Sequence, residues 1–200
     1  MSRLSIVASD ETYDYGLTTA HSMMDQSNCT VSDDGHDRKS VLAHRLSPSY
    51  DPEVPTSAFE DWSVIKFKSF DRPGVYRFNI QEAVGGDETI KTAFIPRGRG
   101  RLVNEKPCSI NYRDARVPPL GDRVAYPTHD CRTQGGQSGT PMTVVGDDGT
   151  LGLFGINTGR TFFYSEWNGQ GPRWYGRFIP LTPDRITAIQ AELNELRVEE

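Results

Sequence analysis

Apolar residues come in short bursts in this chain. Residues 4–8, 17–20, 63–67, 75–80, 90–95, 142–145, 151–156, 160–164 and 174–179 are runs of four to six, set apart by glycine, proline, asparagine and aspartate. Such runs read as strands: they are too short for a 3.6-residue repeat to develop, and their spacers are the residues that turns require. Strand after strand with no helix between predicts an all-β sandwich or barrel and argues against alternating strand and helix. Between two of the runs, Val145-Gly146-Asp147-Asp148-Gly149-Thr150 is a hairpin signal, because Asp-Gly supplies the positive φ angles a tight turn demands. The exception comes last. Thr182 can cap a helix, Pro183 suits its first position, and Ile186, Ile189, Leu193 and Leu196 recur at three- and four-residue steps. One helix is therefore predicted to close the chain and pack on the sheets. The polar stretch 26–39 and the proline-containing stretch 47–57 are predicted surface loops.

A chain of 200 residues with 36% hydrophobic content can form one domain, or two small barrels packed as a unit. Its formal net charge of -5 argues against a nucleic-acid or anionic-membrane binder, both of which call for a basic surface. The one basic cluster, Arg97-Gly98-Arg99-Gly100-Arg101, has no aromatic residues interleaved as a stacking platform and reads as a solvated turn. No stretch approaches the ~20 apolar residues of a membrane span. The first residues also lack the charged and apolar regions of a signal peptide, which predicts a cytoplasmic chain unless a targeting segment lies elsewhere. Cys29, Cys108 and Cys131 permit at most one intramolecular disulfide, and their spacing fits no zinc site.

Three segments carry chemistry in combination. Leu17-Thr18-Thr19-Ala20-His21-Ser22 ends a β-branched strand in an imidazole, and Phe59-Glu60-Asp61-Trp62-Ser63-Val64-Ile65-Lys66 sets an aspartate directly before an alternating strand. Taken singly, these are most often a structural histidine and a strand-end cap. Gln134-Gly135-Gly136-Gln137-Ser138-Gly139-Thr140-Pro141 brackets a serine with glycines. An attacking serine needs such a tight backbone, so that its own N–H and a neighbour's converge on the developing oxyanion; Gly136 and Ser138 are the natural donors. Thr140 stands where a lipase-type elbow requires its second glycine. His21, Asp61 and Ser138 follow one another at gaps of 40 and 77 residues. That is the chymotrypsin order, not that of subtilisins or α/β-hydrolases, and the gaps suit two successive small barrels with a triad assembled between them.

Thr19-Ala20-His21, Asp61-Trp62-Ser63-Val64, Phe94-Ile95-Pro96-Arg97-Gly98-Arg99-Gly100 and the run from His129-Asp130-Cys131 through Ser138-Gly139-Thr140-Pro141 together resemble the trypsin/chymotrypsin-like serine proteases. The resemblance is closest to the bacterial glutamyl-endopeptidase-like branch and covers residues 4–181. It implies two antiparallel six-stranded-type β-barrels followed by the C-terminal helix: a first barrel over 1–70, a linker over 71–88, a second barrel over 89–180 and the helix over 181–200. Only twenty residues precede His21, so the family's opening strand is expected to be missing. The activity implied is that of a serine endopeptidase. Ser138 would attack, His21 would take and return the proton, Asp61 would hold the His21 tautomer, and the Gly136 and Ser138 amides would bind the oxyanion. Arg132 and Thr133 would line the primary pocket, facing Asn157 and Thr158, with Gly159 continuing the strand that pairs with substrate backbone. No metal or organic cofactor is implied. The substrate would be a peptide or protein, the chain a monomer, and the setting secreted or periplasmic; the cytoplasmic reading stays open beside it.

A disulfide between Cys108 and Cys131 is predicted, leaving Cys29 free. This sequence departs from the family at several points. Gln137 stands where the trypsin branch has an aspartate that pairs with a liberated N-terminus, so activation of that kind is not expected. Asn157 replaces the histidine with which glutamyl endopeptidases contact a substrate carboxylate, and Arg132 is the candidate to supply the missing positive charge. Two other readings compete. One is a catalytically inactive protease-like domain that binds peptides or proteins. The other is a cysteine nucleophile, Cys29 or another thiol, paired with His36, His44 or His129; no glycine-bracketed turn surrounds a cysteine, and these histidines read as loop residues.

Overall fold

The computed structural model describes residues 3–24, 29–33, 37–70, 77–81, 92–93, 108–116, 123–131, 137–145, 151–163 and 173–199. Strands β1 (Ser5–Ser9), β2 (Tyr13–Thr18), β3 (Thr30–Asp33), β4 (Asp37–Leu46) and β5 (Ser63–Lys68) form an antiparallel sheet in the order β1-β2-β5-β4-β3. The middle strand shows why. In β5 every residue except Lys68 is buried, and its two faces serve two cores: Val64 on one side, Ile65 and Phe67 on the other. A strand flanked on both edges and covered on both faces needs a near-continuous apolar run, and Ser63-Val64-Ile65-Lys66-Phe67 supplies it.

The second sheet takes β7 (Thr92–Ala93), β8 (Cys108–Arg116), β9 (Arg123–His129), β10 (Pro141–Val145), β11 (Leu151–Phe163) and β12 (Arg173–Pro180) in the order β10-β11-β12-β9-β8-β7, with the short β6 (Asn79–Ile80) parallel to β11. β10 also contacts β7, which brings the two ends of the sheet together as in a barrel. Val145 pairs with Leu151, so the chain reverses where the Asp-Gly hairpin is predicted, although residues 146–150 lie outside the described residues. Helix α1 (Pro183–Val198) begins as expected, with the Thr182 hydroxyl accepting the Arg185 N–H. Its Ile189, Leu193 and Leu196 join Tyr15, Leu17, Trp62 and Val64 of the first sheet and Leu153, Ile156 and Ile179 of the second in one core. Each such side chain contributes about 1.5–3 kcal/mol on burial, and this shared cluster is what fastens the two sheets and the helix to one another.

Three expectations need correction. The stretch 26–39 is not simply a surface loop, because β3 and the start of β4 run through it. β4 alternates half-buried and exposed positions, but its half-buried positions include Asp37, Lys39 and Arg45, so the period of two is present in burial and absent in hydrophobicity. Runs 151–156 and 160–164 belong to one strand, β11, whose end is Phe163, with a bulge between Asn157 and Gly159 in its pairing to β12. β8 and β9 went unforeseen for the same reason as β4: neither has a clean apolar run. His44 and His129 accordingly sit in strands, not loops, and His36 lies outside the described residues.

Candidate active site

β2 and β5 are antiparallel with Thr18 opposite Ser63. A residue just past the end of β2 and one just before the start of β5 must therefore meet at the same edge of the sheet, and these are His21 and Asp61. His21 does not end the strand itself. Thr19 is extended, and Ala20–Ser22 form a single 3₁₀ turn in which Ala20 is buried and the Thr19 and Ser22 hydroxyls lie 2.6 Å apart. The turn points the imidazole outward, 41% exposed, over an aspartate side chain that is 9% exposed.

Asp61 grips this histidine twice. Its Oδ2 lies 2.6 Å from His21 Nδ1, and its Oδ1 accepts the His21 backbone N–H at 2.8 Å. With Nδ1 donating to the carboxylate, Nε2 is left as the basic nitrogen at the free end of the ring. Asp61 is also supported from behind. It follows a 3₁₀ segment, Pro55–Glu60, whose last residue forms a salt bridge at 2.7 Å with Arg185 of α1 and accepts the Trp62 indole N–H at 3.1 Å. Tyr50 lies nearby, its phenol pushed up by burial and then by the Asp61 and Asp51 charges.

Ser138 occupies a tight turn in which the Thr140 N–H donates to the Gln137 carbonyl at 3.2 Å. Gly139 adopts φ 82°, the left-handed value the third residue of a type II turn requires. Sterics demand glycine there as well. A Cβ at 139 would lie 2.0 Å from the Arg3 carbonyl oxygen and 2.5 Å from Thr18 Oγ1. The Arg3 N–H donates to the Ser138 carbonyl at 2.7 Å, and Thr18 Oγ1 donates to the Arg3 carbonyl at 2.6 Å. The Ser138 turn of the second sheet is thus docked, through Arg3, on the end of the strand that leads into His21. Sequence reasoning missed Arg3, which no motif marks, and the hydroxyl of Thr18. Ser138 Oγ itself donates to the Thr158 carbonyl at 3.4 Å.

The remaining expected residues fall into two groups. Gly136, Arg132 and Thr133 lie outside the described residues. Asn157 is fully buried, its amide engaged with His129 and with the Gln137 carbonyl, while Thr158 and Gly159 are half-buried on β11. β10 pairs with β11 only as far as Ile156, so among the described residues no strand flanks that edge beyond Asn157. Cys131 is disulfide-bonded and Cys29 is a thiol outside any disulfide, its pKa raised by burial; the Cys108 side chain lies outside the described residues. Among the described residues no group of three or more histidine, cysteine or carboxylate side chains could hold a metal ion, and no helix is long and apolar enough to cross a membrane.

No protein-family model matches this chain, and no curated protein matches it in sequence. Among solved structures it is similar to human heparin binding protein, with a TM-score of 0.57 over 96% of this chain and 86% of that chain at 14% identity. That protein has the chymotrypsin fold. At such identity the likeness shows the fold alone: the chain has the two-barrel architecture of trypsin-like serine proteases, mostly β with one C-terminal helix. Nothing in the likeness singles out the glutamyl-endopeptidase branch.

Proposed function

We propose that the chain is a serine endopeptidase, and the observation that carries the reading is the two-point grip of Asp61 on His21. In the reaction, His21 Nε2 takes the Ser138 hydroxyl proton as Oγ attacks the scissile carbonyl carbon. Nε2 then returns the proton to the leaving amine, and water repeats the cycle on the acyl-enzyme. Asp61 holds the tautomer and stabilises the imidazolium. The Ser138 N–H, with Gly136 as its partner, would receive the oxyanion. The edge of β11 from Thr158 onward, unflanked among the described residues, is suited to pairing with an extended substrate backbone. A substrate there would compete for the Thr158 carbonyl and free Ser138 Oγ to turn toward His21, since catalytic hydrogen bonds often tighten only in the complex.

For specificity we propose the glutamyl-endopeptidase pattern, with Arg132 and Thr133 recognising an acidic side chain before the scissile bond. Asn157, bonded inside the barrel, leaves that charge to Arg132. Profiling cleavage sites in a peptide library decides: an acidic preference lost in Arg132→Ala supports it, and a dominant Lys or Arg preference eliminates it. The disulfide at Cys131 fits a secreted or periplasmic setting, because thiols in reducing compartments stay reduced.

A second reading, a protease-like domain that binds peptides without cleaving them, is favoured by one observation: the Ser138 hydroxyl pairs with Thr158. Fluorophosphonate labelling separates the two. The endopeptidase reading expects labelling and casein hydrolysis that both disappear in Ser138→Ala; a folded chain that neither labels nor cleaves is a binding module.

A further inference from the structure

Beneath the Ser138 turn, β9 ends in a histidine that the reaction above does not use. His129 is fully buried. It sits opposite Gly176 of β12, where a Cβ would come within 1.9 Å of His129 Cε1 and 2.2 Å of Nε2, so the ring occupies space that only glycine leaves open. Phe178 flanks it, with ring centroids 6.2 Å apart. Nε2 lies 2.9 Å from Asn157 Oδ1, and Asn157 Nδ2 donates to the Gln137 carbonyl at 2.8 Å. The Asn157 main chain makes the same connection twice more, donating to the Thr140 carbonyl at 2.9 Å and accepting the Gly139 N–H at 2.7 Å.

The donor directions follow from chemistry. A carbonyl only accepts, so Asn157 must turn its NH₂ to Gln137 and its Oδ1 to the ring, and His129 must donate from Nε2. Nδ1 is buried with no hydrogen-bond partner among the described residues, which fits a neutral imidazole with its proton on Nε2. An orphaned buried nitrogen is a cost that any apolar residue would avoid. Packing alone therefore does not explain a histidine here, whereas the Nε2–H donor does.

We propose that His129 and Asn157 are positioning residues for Ser138: the β9 imidazole fixes the Asn157 amide, and the amide clamps the Gln137 carbonyl, so that the nucleophile's turn is set from inside the second barrel. The inference rests on Ser138 being the nucleophile. Displacing a reacting group by about 1 Å can cost on the order of 10²-fold in rate, which is the scale at stake.

The test compares the full chain with His129→Leu, which removes the donor, His129→Gln, which can restore it, and Gly176→Ala, which pushes the ring aside. The readouts are the fluorophosphonate labelling rate at Ser138, kcat and KM on a fluorogenic peptide, and amide hydrogen exchange over residues 137–140. In the Leu and Ala variants labelling and kcat should fall on the order of 10²-fold with KM little changed, and amides 137–140 should exchange faster while those of β5 do not. The Gln variant should recover most of the loss. Wild-type labelling in His129→Leu overturns the proposal. So does equal damage in the Leu and Gln variants, which would reduce His129 to packing. If the wild-type chain never labels, the endopeptidase reading fails and hydrogen exchange alone judges the positioning: faster exchange reversed by Gln supports it, unchanged exchange overturns it. Should His129→Leu not fold, Asn157→Asp carries the test, since it keeps the acceptor for His129 and removes the donor to Gln137. Slower labelling and faster turn exchange are then expected, and wild-type values overturn the proposal.

Discussion

Asp61 holds His21 by the ring and by the backbone at once, at 2.6 Å and 2.8 Å, from either side of an antiparallel strand pair that places them together. One carboxylate oxygen sets where the 3₁₀ turn lies, and the other sets which ring nitrogen carries the proton. Asp61→Asn keeps the shape and the backbone acceptor but offers the ring an NH₂ where it needs an acceptor. Turnover should fall by about 10⁴-fold, because the ring is then held in the wrong tautomer, with the circular dichroism spectrum unchanged. An Asn variant that hydrolyses peptide at the wild-type rate would remove Asp61 from the mechanism.

Gly139→Ala tests the docking of the Ser138 turn on the first sheet. The new Cβ meets main chain at the Arg3 carbonyl and must also adopt φ 82°, and backbone cannot swing aside as a flexible side chain can. A loss of about 2 kcal/mol or more is expected, which for a chain of this size lowers the melting temperature by roughly 4–8 °C. Labelling of Ser138 should slow in parallel. Calorimetry showing an unchanged transition would mean the turn is not held as described.

Acid should destabilise the fold through His129. Burial pushes its pKa down to about 4, opposed by the Asn157 hydrogen bond and the Asp130 charge. In the unfolded chain it titrates near an ordinary value of about 6.5. Above that value the imidazole is neutral in both states and contributes no pH dependence. As the pH falls from about 6.5 to about 4, the unfolded chain binds a proton that the folded chain refuses, so stability falls by up to about 3 kcal/mol and then levels off. The charged neighbours are Asp130 beside it and Arg177 on β12. Melting curves at pH 7, 5.5 and 4 should show a steeper acid loss in wild type than in His129→Gln; parallel losses would contradict the assignment.

Cys131 is disulfide-bonded and Cys29 is in no disulfide, so in a chain with three cysteines the expected partner is Cys108. The bridge would close a loop of 23 residues and stabilise by about 3 kcal/mol. Mass spectrometry of a non-reduced digest should find the Cys108–Cys131 peptide pair and Cys29 alkylated. A Cys29-containing pair, or three alkylated thiols in oxidised protein, would refute it.

What the sequence determined by itself was local. The near-continuous apolar run at β5, the Thr182 cap with Pro183 behind it, and the glycines around Ser138 are each readable from neighbouring residues alone. The order of His21, Asp61 and Ser138 was equally readable, because order is a property of the chain. The tertiary structure decided everything that depends on long-range contact. Arg45 of β4 faces Glu199 beyond the C-terminal helix, and the buried Lys66 of β5 donates to main-chain carbonyls at that helix's end, so charge inside or beside the core is tolerated because a distant element supplies its partner. His129 looked like a loop residue until Gly176 and Asn157, 47 and 28 positions away, gave its ring a space and an acceptor. Arg3 carries no motif at all. It became part of the site because Thr18 and Ser138 each left a polar group that only a neighbouring main chain could satisfy.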